Sequence, residues 1–239
     1  MNSQSQYITK SETAIKEENA RFMAGVYKWM TFGILLTGAT SYYVSLKQQI
    51  VMVIATNPFV SIGLILAQVG AVIFLSAMIE RINAFMATLV YLLYAFFTGL
   101  TLSVVFLIYT QESVQEVFFI TSFCFAGLSL FGYVTKKDLG PVGTFCHMGL
   151  WGIIGFYVLS WFFPSLIGGT MDIVVSIIGV GIFSGLTAYD TQKIKESNII
   201  GNEGSEEDHK ETIFGALTLY LDFINLFLYL LKLFGRRRD

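Results

Sequence analysis

The last long apolar stretch of the chain, residues 212–234, is TIFGALTLYLDFINLFLYLLKLF. It shows no alternation of polar and apolar residues, and its length is close to the roughly 20 residues with which a helix crosses about 30 Å of hydrocarbon. One carboxylate, Asp222, interrupts it about ten residues from either end. The stretch therefore predicts a membrane-spanning helix that carries an acid near its middle.

Apolar stretches of similar length recur throughout the rest of the chain. Of its 239 residues, 54% are hydrophobic and 13% are charged, whereas a soluble domain has about 25% charged residues. A transmembrane β-barrel would need short segments of alternating polarity, and these stretches do not alternate. We therefore expect an all-α membrane protein with seven transmembrane helices, at about residues 25–45, 59–79, 84–108, 114–134, 142–163, 171–192 and 212–234.

This reading divides the chain into three parts. Residues 1–24 form a cytoplasmic N-terminal tail, residues 25–234 form the seven-helix membrane domain, and residues 235–239 form a basic C-terminal tail. The predicted breaks between spans fall at turn-forming or charged positions, for example at Pro58 and Pro164. The long acidic connection at residues 193–211 is expected to be a solvated and mobile loop.

The distribution of Lys and Arg predicts the orientation, because cytoplasmic loops are enriched in these residues. With the N-terminus inside, the cytoplasmic side collects Lys10, Lys16, Arg21, Lys28, Arg81, Lys136, Lys137, Lys193, Lys195 and Lys210. The opposite side has Lys47 in its loops, but seven crossings also place Lys232 and the three arginines at residues 236–238 there. Either the tail is an exception to the rule, or one apolar segment re-enters without crossing.

Several classes of partner are not expected. The net charge is −2, and no basic face with interleaved aromatic residues suggests nucleic-acid binding. Cys124 and Cys146 lie within or beside apolar spans, which disfavours a structural disulfide. With only His147 and His209 as histidines, no metal-site spacing exists. We expect a lipid bilayer as the surroundings and no tightly bound cofactor.

Two acids stand out in this apolar sequence, Asp190 in the sixth span and Asp222 in the seventh. An ionised carboxylate near the bilayer centre costs roughly 2.5 to 3.5 kcal/mol, so such residues usually have a partner and a function. Consecutive spans are antiparallel, so the two acids approach each other if the sixth helix continues through Lys195 and the seventh begins near Glu211. The pair then shares a proton, because two close carboxylates at low dielectric do not both ionise cheaply.

Loss of the shared proton would create an oxygen-rich site for a hard cation such as calcium. The sequence therefore predicts a pH sensor and gate at Asp190 and Asp222, which would also be the calcium ligands. Structural roles are the alternatives: Asp190 as an interfacial acid paired with Lys193, and Asp222 as a lone hydrogen-bonding group. Helical spacing adds a candidate polar path on the faces that carry the acids, formed by Thr187, Thr218, Asn225 and Tyr229.

Three segments around these positions resemble the Bax inhibitor-1 family. They are residues 219–227, LYLDFINLF, residues 188–194, AYDTQKI, and residues 24–30, AGVYKWM. The resemblance extends over the whole chain and points to a bacterial member in the inner membrane. It implies six helices packed around a central seventh, and a pH-sensitive calcium leak that is not an enzyme. In this sequence the sensor and gate positions correspond to Asp190 and Asp222.

The resemblance also implies a basic partner for the acids near the end of the second span. Arg81 is the candidate for this ion pair, and a plain topology-determining charge is the alternative role. Some relatives carry a glutamate within the second span, where this chain has Gln68 as the polar residue. Because an amide does not ionise, a mechanism that needs a third acid is not expected here.

Two other functions fit parts of the pattern. Intramembrane aspartyl proteases also place acids on consecutive membrane helices, and Tyr189-Asp190 matches half of their signature. The Gly-x-Gly that should precede the second acid is absent before Asp222, and so is their Pro-Ala-Leu element. A regulatory membrane protein that binds and restrains other membrane proteins is the stronger alternative. In that case the acids would hold the helices together, with calcium flux secondary.

Overall fold

The computed structural model describes residues 12–163 and 168–238. Lys10 in the predicted N-terminal tail, Pro164 at a predicted break and Asp239 at the end of the basic tail lie outside these ranges. The described residues form helices α1 (Glu12–Ser45), α2 (Gln48–Thr56), α3 (Pro58–Met78), α4 (Ala84–Leu102), α5 (Val105–Ile108), α6 (Gln111–Val134), α7 (Gly140–Phe162), α8 (Thr170–Ser197) and α9 (Glu206–Phe234). The all-α prediction is confirmed for this part of the chain.

Polar side chains cap the helices where the sequence changes from loop to apolar span. Asn57 accepts from the backbone N–H groups of Phe59 and Val60 at the start of α3, with Pro58 in the first turn. Thr110 accepts from the Ser113 N–H to start α6, and Ser205 accepts from the Asp208 N–H to start α9. These bonds satisfy backbone donors that the first helical turn leaves free.

Six segments of the described chain are helical, long and apolar enough to cross a membrane: Pro58–Met78, Ala84–Ile108, Gln111–Val134, Gly140–Phe162, Thr170–Ser197 and Glu206–Phe234. They coincide with six of the seven predicted spans. The remaining predicted span, residues 25–45, is helical within α1, but Thr37, Thr40 and Ser41 are among the residues that lower its hydropathy. Sequence length and polarity therefore support six crossings directly.

The expected loop at residues 193–211 is mostly helical, which corrects the prediction of a long mobile connection. α8 continues to Ser197 and α9 begins at Glu206. Ile194 is buried on the extension of α8, so apolar packing stabilises helix where the charge pattern had suggested a solvated loop. A second difference is α2, a short helix between the first two predicted spans.

α9 is the most buried of the six apolar segments. In its most apolar window 72% of the residues are buried, compared with 6% for α3 and 44% for α8. It packs against α1, α4, α6 and α8. Apart from the face that carries Asp222, the part of α9 from Thr212 onward is mostly apolar, as expected for a helix surrounded by other helices. This packing places Asp222 in the protein interior.

Small residues bring α7 close to α8. A side-chain carbon added at Gly149 would lie 2.6 Å from Ile182, and one added at Gly185 would collide with the thiol of Cys146. Such close contacts are typical of helix pairs in membranes, where small residues let the backbones approach. The contact fixes α7, which carries His147, against the helix that carries Asp190.

The two ends of α9 contact different parts of the bundle. Just before its first turn, Glu203 forms a 2.7 Å ion pair with Arg21 of α1. Beyond its last turn, the Arg238 N–H donates to the Ile108 carbonyl over 2.8 Å, and the Thr110 N–H donates to the Arg236 carbonyl over 3.0 Å. The basic tail therefore lies at the end of the bundle where α5 and α6 meet, opposite the start of α1.

Candidate functional site

The structure brings Asp190 and Asp222 together. Asp222 lies on α9 with 4% of its surface exposed, and its carboxyl group is in hydrogen-bonding contact with that of Asp190 on α8. Both helices extend far enough toward their shared connection for this register, with α8 passing Lys195 and α9 starting before Glu211. The facing pair is therefore a consequence of two long antiparallel helices.

The pair has few other hydrogen-bond partners. Apart from the paired carboxyl group of Asp190, no N–H or O–H group among the described residues bonds to the Asp222 Oδ2 atom. Two ionised carboxylates only accept hydrogen bonds, so a bond between Asp190 and Asp222 requires a proton on one of them. A buried carboxylate oxygen without a donor is costly, and native proteins leave few buried polar groups unpaired.

Two basic side chains lie near Asp190, His147 from α7 and Lys193 from its own helix. His147 Nδ1 lies 2.8 Å from the Gly143 carbonyl, so this nitrogen carries a hydrogen and Nε2 is left for other partners. The Lys193 ammonium lies 5.6 Å from the centre of the Tyr189 ring. Among the ion pairs between described residues, none joins Lys193 to Asp190. The structure therefore does not contain the direct Asp190–Lys193 ion pair that was the alternative role of Asp190.

Both acids line a cavity of about 620 Å³ between α3, α4, α7, α8 and α9. Its size falls within the roughly 300 to 1,000 Å³ typical of small-molecule sites, and most of its lining is apolar, as in such sites. The polar lining comes from a small set of side chains: Gln68, Tyr94, Thr101, His147, Asp190, Thr218, Asp222 and Asn225. We call this space the acid cavity.

Two of the four residues of the predicted polar path line the acid cavity. They are Thr218, whose hydroxyl donates to the Phe214 carbonyl over 3.1 Å, and Asn225, whose amide nitrogen donates to the Leu221 carbonyl over 2.8 Å. The amide oxygen of Asn225 is then the atom available to the cavity. Asn225 lies one helical turn beyond Asp222, so the two side chains share a face of α9.

The other two residues of the predicted path lie elsewhere. Thr187 is fully buried and donates to the Phe183 carbonyl of its own helix over 2.7 Å. Tyr229 is stacked on the Phe183 ring with 5.7 Å between the ring centres. Neither side chain lines the acid cavity, because α8 and α9 pack directly against each other at these positions.

Arg81 is exposed in the turn between α3 and α4 and does not line the acid cavity. The structure therefore does not bring it to the acids, and its pairing with them stays a prediction. The end of α9 near this turn has a different contact, in which the Lys210 ammonium reaches the Glu80 carbonyl over 3.5 Å.

Sequence reasoning missed three contributors to the site. Gln68 donates to the Thr101 hydroxyl over 2.8 Å and accepts from the Thr98 hydroxyl over 3.3 Å, which fixes its amide at the cavity wall. Its position as a polar residue inside an apolar span was the available signal. No such signal pointed to His147 or Tyr94. Both lie on helices far from Asp190 and Asp222 in the chain, and a single sequence does not show which distant helices are in contact.

The site offers oxygen ligands without a complete metal centre. No group of three or more His, Cys, Asp or Glu side chains among residues 12–163 and 168–238 is arranged to hold a metal ion. Calcium takes six to eight oxygen ligands. Asp190 and Asp222 supply up to four oxygen atoms and Asn225 adds an amide oxygen, which is fewer than a complete calcium site needs.

Comparison with known proteins finds similarity to one protein family over nearly the whole chain. A family model described as inhibitor of apoptosis-promoting Bax1 matches residues 19–239. The chain belongs to the Bax inhibitor-1 family. Inner membrane protein YbhL of Escherichia coli K12 is 44% identical over 218 residues, which cover 91% of this chain and 92% of that protein.

Similar family members occur in distant bacteria. A protein of Borreliella burgdorferi is 40% identical over 230 residues, covering 96% of this chain and 97% of that protein. A membrane protein of Streptococcus pyogenes is 30% identical over 230 residues, covering 95% of this chain and 96% of that protein. Together with the six apolar helices, the likeness to YbhL identifies a multi-pass protein of the inner membrane.

Proposed function

We propose that this family member is a pH-regulated calcium leak of the inner membrane, in which Asp190 and Asp222 form the gate. The observation that carries the proposal is the facing pair of acids at the wall of the acid cavity, with one Asp222 oxygen that lacks a donor. Calcium and protons are the ligands of this site, and no catalytic step is assigned to it.

The two charge states of the pair have opposite effects on the helices. With one shared proton, a hydrogen bond joins α8 to α9 across the acids and the pair carries one negative charge. Without the proton, the two like charges repel each other at low dielectric and their oxygens become ligands for calcium. Because protons and calcium compete for the same oxygens, calcium flux should rise with pH.

We further propose that α1 provides a seventh crossing and that α9 is the central helix of the bundle. The ion pair of Arg21 with Glu203 at one end of α9, and the docked tail at its other end, support an odd number of crossings. The high burial of α9 supports the central position. The excess of Lys and Arg beside the start of α1 then makes that end cytoplasmic and places the basic tail outside.

The proposal is tested with purified protein in liposomes that enclose a calcium-sensitive dye. Calcium added outside should enter protein-containing liposomes faster than empty ones at pH 8, and more slowly at pH 6. A regulatory protein that only binds other membrane proteins should give the rate of empty liposomes at both values. That outcome would overturn the leak and favour the regulatory function.

A further inference from the structure

The acid cavity opens between α3 and α7 toward the side of the bundle. Ile65, Val69 and Ile73 of α3 form one wall and are each about half exposed. Leu150 and Ile154 of α7 form the facing wall. In a membrane-spanning bundle, apolar side chains exposed on helix sides lie against lipid chains. The opening is therefore an apolar entrance from the bilayer and not from water.

The inner wall of the same cavity is an acceptor site. Asp222 is 4% exposed, and apart from the paired carboxyl group of Asp190 its Oδ2 atom has no N–H or O–H donor among the described residues. One turn further along α9, the Asn225 amide oxygen is also available, because its nitrogen is bonded to the Leu221 carbonyl. This wall thus combines negative charge with acceptor atoms, and the other polar side chains that line the cavity leave the Asp222 Oδ2 atom without a donor.

We propose that the acid cavity binds a lipophilic primary amine, with its ammonium group at Asp222 and its apolar body between α3 and α7. An ammonium group has three donors and no acceptor, so it complements Asp222 and Asn225. An anionic headgroup would meet like charge at this wall. A neutral alkyl chain would fill the walls but leave the Asp222 oxygen without a donor.

This inference goes beyond the leak and does not depend on it. Amine binding needs only the acids, the Asn225 oxygen and the apolar walls, none of which requires calcium to cross the membrane. If the leak also exists, calcium and the amine would exclude each other, because both would use the Asp222 oxygens. Flux and amine binding are measured separately, so either proposal can fail without the other.

The test uses a long-chain primary amine with a photoreactive diazirine in its tail, and the alcohol of identical length and diazirine position. Each probe is added to the protein in lipid nanodiscs, illuminated, and located by mass spectrometry of the labelled peptides. We expect the amine to label residues 65–73 and 150–154 at least fivefold more than the alcohol does. Equal labelling of these segments by the two probes would overturn the inference. This experiment uses only the unmodified protein.

The variant Asp222→Asn makes the same test residue-specific, since it replaces the Asp222 carboxyl group by a neutral amide with little change in shape. It should reduce amine labelling of both walls to the level of the alcohol. Glu116→Gln is the matched control, because Glu116 is exposed, pairs with Arg236 and does not line the cavity. Retained amine labelling in a monodisperse Asp222→Asn protein would overturn the role of Asp222, and loss in Glu116→Gln would overturn the assignment to this cavity.

Discussion

Tyr220 and Asp222 are two residues apart on α9, yet they occupy opposite kinds of environment. Tyr220 is fully buried, its hydroxyl lies 2.6 Å from that of Thr37, and its ring packs edge-to-face on Tyr91 and Tyr94. Asp222 is nearly as buried, but it faces a cavity and has one oxygen without a donor. The face of α9 that carries Tyr220 therefore belongs to a core whose polar groups are paired. The face that carries Asp222 has a polar atom without a partner.

This difference distinguishes buried polar groups that stabilise a membrane helix from buried polar groups that serve its function. A buried polar group that is fully paired contributes to stability and specificity, whereas one without its partner is retained at a cost. Changes at Tyr220 should therefore alter the stability of the protein, and changes at Asp222 should alter its response to protons. Four variants test that division, ordered here from the largest expected effect to the smallest.

Tyr220→Ala should have the largest effect on stability. Removing a fully buried aromatic side chain from a packed core costs about 3 to 5 kcal/mol in free energy of unfolding. Reversible unfolding in detergent micelles would measure this loss. A cost below about 1 kcal/mol would mean that the Tyr220 side is loosely packed, and the contrast with the Asp222 side would fail.

Asp222→Asn should leave the fold intact and remove most of the pH response. The amide nitrogen of Asn donates to the Asp190 carboxylate without a bound proton, so the bond between α8 and α9 no longer depends on pH. Unfolding free energies at pH 6 and pH 8 should then differ less in the variant than in the unmodified protein. An unchanged pH dependence of unfolding would show that the pair does not hold the proton.

Thr37→Val should have a smaller effect on stability than Tyr220→Ala. It removes the hydroxyl that bonds to Tyr220 and to the Ala95 carbonyl, at a cost of about 1 to 3 kcal/mol for the groups left unpaired. The same unfolding experiment measures it, and calcium entry should keep its pH dependence. A shifted pH dependence in Thr37→Val would extend the functional site across α9 and end the contrast.

Glu116→Gln should have the smallest effect. Glu116 and Arg236 are both exposed at their 2.9 Å ion pair, and such pairs contribute about 0 to 1 kcal/mol. The tail also keeps its backbone bonds to Ile108 and Thr110 in this variant. Unfolding free energy and calcium entry should both match the unmodified protein. A large loss of calcium entry would show that the docked tail is part of the gate, and a large loss of unfolding free energy would show that the ion pair is more than a surface contact.

The sequence predicted the parts of this site that depend on one helix or on two consecutive ones. Apolar length placed the spans, and the depth of Asp222 marked it as a residue that needs a partner. Asp190 followed because α8 and α9 are neighbours in the chain. In each case the information is local, so helical geometry and a short connection are enough to place the side chains.

Contacts between distant parts of the chain could not be predicted in this way. His147 acts on Asp190 because Gly149 and Gly185 bring α7 close to α8, and one sequence does not reveal which glycines make contacts. Thr37 and Tyr220 meet across 183 positions of the chain. Arg81 shows the same limit from the other direction. Its charge near the end of a span suggested a partner for the acids, and in the structure it is exposed.

The central claim is that one proton shared by Asp190 and Asp222 controls calcium entry. Its most direct test is the pH profile of calcium entry into proteoliposomes for the unmodified protein, Asp190→Asn, Asp222→Asn and Glu116→Gln. We predict rates that rise with pH in the unmodified and Glu116→Gln proteins, and a flattened or displaced profile in both aspartate variants. An identical, steep profile in all four proteins would contradict the account.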